Sequence, residues 1–107
     1  MDRRTALVTG ASSGLGAEFA RQLANRGLDL ILVARRSERL SELADRLAHD
    51  AGVRANVFAA DLSAPEAPAL IFDFVRELRL RVDFLVNNAG SAFVHCARAL
   101  LTLNFTK

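Results

Sequence analysis

The sequence predicts an α/β fold built on a parallel β-sheet, and three observations lead to this class. Short aliphatic runs typical of buried strands alternate along the chain with segments of helical periodicity. The 107 residues are enough for one small domain with a single core, and 51% of them are hydrophobic. A charged fraction of 24% is that of a globular chain rather than a disordered one. We therefore expect one domain over residues 1–107.

Four strands are predicted from aliphatic runs that end near glycine or polar residues. They cover residues 5–9, 28–34, 55–60 and 82–86. Connections between parallel strands are right-handed crossovers, and alternating units of this kind build a doubly wound sheet. We expect the strand order 3-2-1-4, with helices on both faces.

The first helix is predicted over residues 14–26. Leu15, Phe19 and Leu23 recur at the spacing of one helical face, with Ala20 and Ala24 beside them, and we expect this face to lie on the sheet. Gly27 follows as a typical residue at a helix carboxyl end.

Two further helices connect the later strands. Ser37 is expected to cap the second helix, which ends before Gly52. The third helix has two possible starts: residues 63–66 have the spacing of a capping box, whereas Pro68 favours a start that slides to Ala67.

The loop after the first strand contains three glycines, Gly10, Gly14 and Gly16. Glycines in this arrangement allow a tight turn, a close approach of the backbone to a pyrophosphate and close packing of helix on strand. The following helix offers free N–H groups and its positive dipole end to phosphates. Because the loop follows a strand and opens a helix, it predicts a Rossmann-type dinucleotide site; a glycine turn without a ligand is the alternative. The expected contacts are Gly10, Ser12, Ser13, Gly14, Leu15 and Gly16.

The residues after the second strand indicate which dinucleotide is bound. An NAD-binding chain places an acidic residue there for the ribose 2′-hydroxyl. This chain has Arg35 and Arg36 instead, and arginine provides charge and a forked donor for a 2′-phosphate. The pair favours NADP(H), although two solvated arginines would be the alternative, above all for Arg36.

Charge and hydropathy exclude other classes. The 14 basic residues are thirteen arginines and Lys107, and they are scattered among acidic residues to a net charge of +2, which does not favour nucleic-acid binding. No apolar run reaches the length of a membrane span, and the first residues do not resemble a signal peptide, so we expect a cytoplasmic protein. Nothing has the spacing of metal ligands.

Across residues 9–90 the sequence resembles the short-chain dehydrogenase/reductase family. The glycine loop matches the family's cofactor motif, Asp61 and Leu62 match the pair that contacts the adenine ring, and the run 87–90 matches the motif after the fourth strand. The resemblance implies contacts of Asn88, Ala89 and Gly90 with the cofactor ribose. A plain residue before a helix remains the alternative for Asp61, and a simple turn for Asn88 and Gly90.

The resemblance also implies hydride transfer between nicotinamide and a carbonyl or alcohol substrate. The family performs it with a Tyr, a Lys and a Ser beyond the fourth strand, yet this sequence has no Tyr and its one Lys is Lys107. Asn104 resembles the family's catalytic Asn but follows Gly90 by only fourteen residues, so a polar surface residue is the alternative. We expect the nucleotide-binding half of such an enzyme, truncated after about four strands and inactive by itself, or else a binding or interaction module without catalysis.

The fourth strand would then form an exposed hydrophobic edge, which invites pairing with another chain. Residues from about Cys96 onwards suggest an apolar tail helix. We expect a homo-oligomer formed through this edge or the tail helix, or an aggregation-prone chain.

Overall fold

The computed structural model describes residues 4–11 and 14–87, in which strands and helices alternate. The strands are β1 (Thr5–Thr9), β2 (Asp29–Ala34), β3 (Ala55–Ala59) and β4 (Phe84–Asn87). The helices are α1 (Gly14–Asn25), α2 (Ser37–Ala51) and α3 (Ala67–Leu78). The predicted order of elements is confirmed for this part of the chain, with shifts of a few residues at their ends.

The four strands form one parallel sheet in the predicted order β3-β2-β1-β4. Thr9, the last residue of β1, lies opposite Val33 of β2 and Asn87 of β4. Ala34 at the end of β2 lies opposite Ala59 of β3. The carboxyl ends of all four strands therefore meet at one edge, where open α/β sheets bind their ligands.

The helices cover both faces of the sheet, as predicted. Alternate residues of the central strands point to opposite faces, because side chains in a strand have a period of two. One face packs against α1 and α2, and the other packs against α3. Strand residues on the first face include Ala6, Val8, Leu30 and Leu32; those on the second include Leu7, Ile31 and Val33.

The face of α1 that packs on the sheet differs from the prediction. Leu15 is 60% exposed and Phe19 is 40% exposed, while only Leu23 of the predicted stripe packs partly against the core. The buried residues are Gly16 together with Ala20 and Ala24, the two alanines predicted beside that stripe, and these three residues also lie four apart. Small side chains occupy this face because the helix lies very close to the loop before it.

The cap predicted for α2 is wrong, whereas one of the two starts predicted for α3 is confirmed. Ser37 is the first residue of α2 rather than its cap; Arg36 holds that position and makes no side-chain capping bond. α3 takes the later of its two predicted starts, with Glu66 before it and Pro68 in its first turn. Proline suits this turn because the N–H that it lacks has no partner in the helix.

Helix ends follow the predicted glycine positions more closely. Gly27 and Gly52 adopt positive φ angles of 86° and 69° after α1 and α2. The N–H of Gly52 donates to the carbonyl of Ala48 at 3.0 Å, which satisfies one of the free carbonyls at the end of α2.

Two aspartates tie the strands together at the amino edge of the sheet, opposite the predicted site. Asp29 Oδ1 accepts the N–H of Arg54 at 2.9 Å, and Asp83 Oδ2 accepts the N–H of Thr5 at 2.9 Å. Backbone N–H groups paired with carboxylates in this way fix the strand ends without any ligand.

The expected tail helix from Cys96 lies outside the described residues. Within residues 4–11 and 14–87, no helix combines the length and the apolar character that crossing a bilayer requires.

Candidate functional site

The carboxyl edge of the sheet brings together three of the predicted contact regions. The glycine loop leaves β1, Arg35 follows β2, and Asp61 comes two residues after β3. Backbone hydrogen bonds join these segments: the N–H of Ala11 donates to Val33 O at 3.2 Å, and the N–H of Ala60 donates to Ala34 O at 2.9 Å. The sheet therefore places the glycine loop next to the end of β2, and the end of β2 next to the end of β3, although these segments are distant in sequence.

Each loop glycine meets a different steric requirement. Gly10 has a φ angle of 64°, a left-handed conformation that favours glycine at a tight turn. A Cβ on Gly16 would lie 2.2 Å from the carbonyl oxygen of Gly10 and 3.0 Å from the Cα of Ala11, so only glycine allows α1 to approach this closely. These two features match two of the three tasks predicted for the loop.

Gly14 differs from Gly16, because a Cβ added there would meet nothing within 4 Å. Neither its packing nor its φ angle therefore demands glycine. Gly14 is the first residue of α1, and the first turn of this helix contains no acidic residue to offset the positive end of its dipole. An open space beside a helix amino end of this kind suits an anion, and a pyrophosphate fits these residues.

The other loop residues are only partly described. Ser12 and Ser13 lie outside the described residues. Leu15 is described, and its side chain is exposed. A ligand at the loop can therefore reach either the backbone or the side chain of Leu15.

Arg35 and Arg36 are both exposed at the end of β2, as predicted. Arg35 directly follows Ala34, the last strand residue, whereas Arg36 precedes the first residue of α2. The positive charge of Arg35 reaches Asp61, where it helps to lower the pKa of the carboxyl group. The positions after β2 therefore present two cations where an acidic residue would select a free ribose hydroxyl.

Asp61 lies in a tight turn after β3. Its Oδ1 accepts the N–H of Ser63 at 3.0 Å and the hydroxyl of Ser63 at 2.6 Å. The Ser63 hydroxyl and then the Ser63 N–H hold the pKa of Asp61 below its ordinary value of 3.8; desolvation opposes them, and the charge of Arg35 adds a smaller lowering effect. The group is therefore a carboxylate near neutral pH and can accept a hydrogen bond.

Leu62, the second residue of the predicted adenine pair, is partly buried. Its side chain packs against the core cluster that α3 forms with the sheet. This contact anchors the turn to the hydrophobic core.

The role of Ser63 was missed at the sequence level, where it was assigned to a capping box. A signal was present, because an aspartate often bonds to the backbone two residues further on and Asp61 and Ser63 have this spacing. The nearby proline and glutamate favoured the helix-cap interpretation instead.

Asn88, Ala89, Gly90 and Asn104 lie outside the described residues. β4 ends at Asn87, level with Thr9, so the described chain ends at the same edge as the glycine loop. In the part of the chain that is described, no cluster of three His, Cys, Asp or Glu residues could hold a metal ion.

Comparison with known proteins identifies the family. A family model described as short chain dehydrogenase matches residues 4–106, nearly the whole chain. The chain belongs to the short-chain dehydrogenase family. The resemblance inferred from the glycine loop, Asp61 and residues 87–90 is thereby confirmed.

Two relatives illustrate the extent of the match. Sulfoacetaldehyde reductase 2 of Chromohalobacter salexigens is 44% identical over 86 residues, which cover 80% of this chain and 33% of the relative. Farnesol dehydrogenase of Aedes aegypti is 41% identical over 93 residues, covering 84% of this chain and 38% of the relative. The chain therefore spans little more than a third of these relatives.

Solved structures of the family share the fold. A short-chain dehydrogenase from Sphingobium yanoikuyae in complex with NADPH has a TM-score of 0.83 at 36% identity, covering 95% of this chain and 48% of that one. L-sorbose reductase from Gluconobacter frateurii, complexed with NADPH and L-sorbose, has a TM-score of 0.81 at 31% identity, covering 97% and 46%. This chain corresponds to about half of each solved protein.

Proposed function

We propose that this chain binds NADP(H) at the carboxyl edge of its sheet and is the coenzyme-binding half of an oxidoreductase. The observation that carries the proposal is the open space at Gly14, next to the amino end of α1, whose first turn contains no acidic residue. The pyrophosphate would accept hydrogen bonds from backbone N–H groups of residues 12–16. Family members of similar fold are solved in complex with NADPH, which supports this choice of ligand.

Arg35 is the proposed ligand of the 2′-phosphate. It directly follows β2 and is exposed, so its guanidinium can pair with a phosphate through two parallel hydrogen bonds. Arg36 adds positive charge to the same loop. Because neither position is acidic, nothing in this loop provides the carboxylate that would favour NAD(H).

The adenine and ribose contacts complete the proposed site. Asp61 would accept a hydrogen bond from the adenine amino group, with Leu62 anchoring the turn. Asn88, Ala89 and Gly90 would contact the ribose next to the nicotinamide, as the family resemblance implies. Asn104 would correspond to the family's catalytic Asn.

The parent reaction would be reduction of a carbonyl or oxidation of an alcohol. Bound nicotinamide supplies or accepts the hydride in such a reaction. The 107 residues contain no Tyr, so the proton transfer that the family assigns to a tyrosine forms no part of the function proposed for this chain. Its residues bind and orient the coenzyme.

Coenzyme selectivity tests this proposal. Calorimetric titration should show tighter binding of NADPH than of NADH. Arg35→Asp should weaken NADPH binding by about tenfold to a hundredfold, as expected for loss of a hydrogen bond between charged groups, and should spare NADH. Arg46→Asp, at an exposed position of α2, is the matched control for the change in net charge. Equal affinity for both coenzymes, unchanged by Arg35→Asp, would remove Arg35 from the site.

An interaction module without catalysis is the second candidate function, and β4 is the observation that favours it. Among the described strands β4 pairs only with β1, and Phe84 on it is 43% exposed. A stable complex with another chain, together with no binding of either coenzyme, would select this candidate.

A further inference from the structure

The turn that carries Asp61 is held by three hydrogen bonds. Two of them end on the carboxylate, where Oδ1 accepts both the N–H and the hydroxyl of Ser63. The third joins the N–H of Ala64 to the backbone carbonyl of Asp61 at 3.0 Å. An exposed aspartate is thus held in one orientation by its own loop.

Both side-chain bonds use the same carboxylate oxygen. Oδ2 therefore keeps its lone pairs for a donor from outside the turn, such as the amino group of a base. An exposed side chain that is already fixed loses less conformational freedom when a ligand arrives, which favours binding.

The Ser63 hydroxyl has no competing structural role at the start of α3. Glu66, not Ser63, precedes the first residue of that helix, and no side-chain bond caps it. The hydroxyl instead makes the shorter of the two bonds to Asp61, at 2.6 Å.

We propose that Ser63 is a positioning residue of the coenzyme site, which orients the Asp61 carboxylate toward the adenine amino group. Ser63 itself does not touch the coenzyme in this arrangement; it acts through Asp61. The inference rests on the proposed function, because it requires a nucleotide at the carboxyl edge.

The test compares two coenzymes that differ at the amino group alone. NADPH and its purine analogue, in which hydrogen replaces the adenine amino group, are titrated into the full chain and into the Ser63→Ala variant. We expect Ser63→Ala to weaken NADPH binding by about threefold to tenfold, the effect of losing one hydrogen bond, and to leave the binding of the analogue unchanged. Ser63→Thr keeps the hydroxyl and should bind NADPH as tightly as the unaltered chain does.

Two controls separate positioning from general structure. Ser41→Ala removes an exposed serine hydroxyl from α2 and should change neither titration. In an Asp61→Asn background, Ser63→Ala should have no further effect on NADPH binding, because residues that act through one another are not additive. Thermal unfolding followed by circular dichroism verifies that each variant is folded.

The possible failures are distinguishable. If the unaltered chain binds neither coenzyme, the proposed function itself is wrong. If it binds NADPH but Ser63→Ala binds equally well, or weakens NADPH and the analogue to the same degree, then Ser63 does not act through the adenine contact.

Discussion

At the residue scale, Gly14 and Gly16 are two residues apart and face opposite constraints. A Cβ at Gly16 would collide with the backbone of Gly10, which cannot move without opening the turn. A Cβ at Gly14 would enter open space. The sequence alone does not distinguish the two positions, because both are glycine. In the structure, packing requires glycine at position 16, whereas at Gly14 only a bound coenzyme would require it.

Alanine substitutions should distinguish the two glycines. Gly16→Ala should lower the free energy of unfolding by about 3 kcal/mol or more, because overpacking against a fixed backbone forces it to shift. Gly14→Ala should leave stability unchanged or raise it by up to about 1 kcal/mol, since it restricts the unfolded chain without a clash. NADPH binding should nevertheless be lost in Gly14→Ala. Urea unfolding and calorimetry measure both effects, and normal NADPH affinity in Gly14→Ala would contradict the assignment of this space to the pyrophosphate.

The hydrogen bonds of the Asp61 turn predict how the stability of the folded chain depends on pH. Ser63 and Arg35 lower the pKa of Asp61 in the folded chain, so the stabilisation from this carboxylate is complete above its unfolded pKa and is lost as pH falls through the folded value. Titration followed by NMR should give Asp61 a pKa below 3.8, and Ser63→Ala should move it upward toward that value. An identical pKa in the two proteins would show that the hydroxyl does not bond to the carboxylate in solution.

At the scale of elements, α1 shows why a correct periodicity can give the wrong face. Leu15, Phe19 and Leu23 have the same spacing as Gly16, Ala20 and Ala24, and the two rows are adjacent on the helix. Hydrophobicity favoured the larger side chains. The row of small side chains faces the sheet because α1 approaches the β1 loop closely at Gly16. A helix this near the loop has no room for large residues along the same row.

Substitutions on the two rows of α1 should therefore differ sharply. Phe19→Ala should cost less than about 1 kcal/mol of stability, compared with roughly 3–5 kcal/mol for a phenylalanine in a core. Ala20→Leu should cost about 1–3 kcal/mol, because Ala20 is completely buried. Thermal or urea unfolding measures both variants. A larger loss for Phe19→Ala than for Ala20→Leu would mean that the helix is rotated relative to this description.

The helix starts were the least predictable local features. The segment around the start of α3 contains a capping-box spacing and two prolines, which favour different first residues. The turn at Asp61 takes up Ser63, and the helix then begins at Ala67. The start at Ala67 agrees with the position of Pro68 and with the hydrogen bond of Ser63 to Asp61, and the sequence pattern alone did not show which of the two possible starts would form.

At the scale of the whole molecule, strand order and layering followed from the sequence. Alternating strands and helices with short connections leave few topologies, and right-handed crossovers select the order that is observed. The site at the carboxyl edge follows from the same topology, so Gly10, Arg35 and Asp61 could be placed together in advance. The orientation of the Asp61 carboxylate could not, because it depends on two short contacts within one turn.

The outer edge of β4 leads to a prediction about association. Within the described sheet β4 is an edge strand with the exposed Phe84, and such edges pair with other chains. We expect concentration-dependent association in sedimentation velocity, reduced by Phe84→Lys. Leu70→Lys changes an exposed residue of α3 in the same way and should have no effect. A single monomeric species at high concentration would contradict the prediction.

The central claim is that the carboxyl edge of the sheet receives NADP(H), and amide chemical shifts during an NADPH titration test it most directly. We predict saturable shifts at Gly10, Gly14, Arg35 and Asp61, with none at Asp29 or Asp83 on the amino edge. Shifts confined to the amino edge, or none with either NADPH or NADH, would contradict the claim.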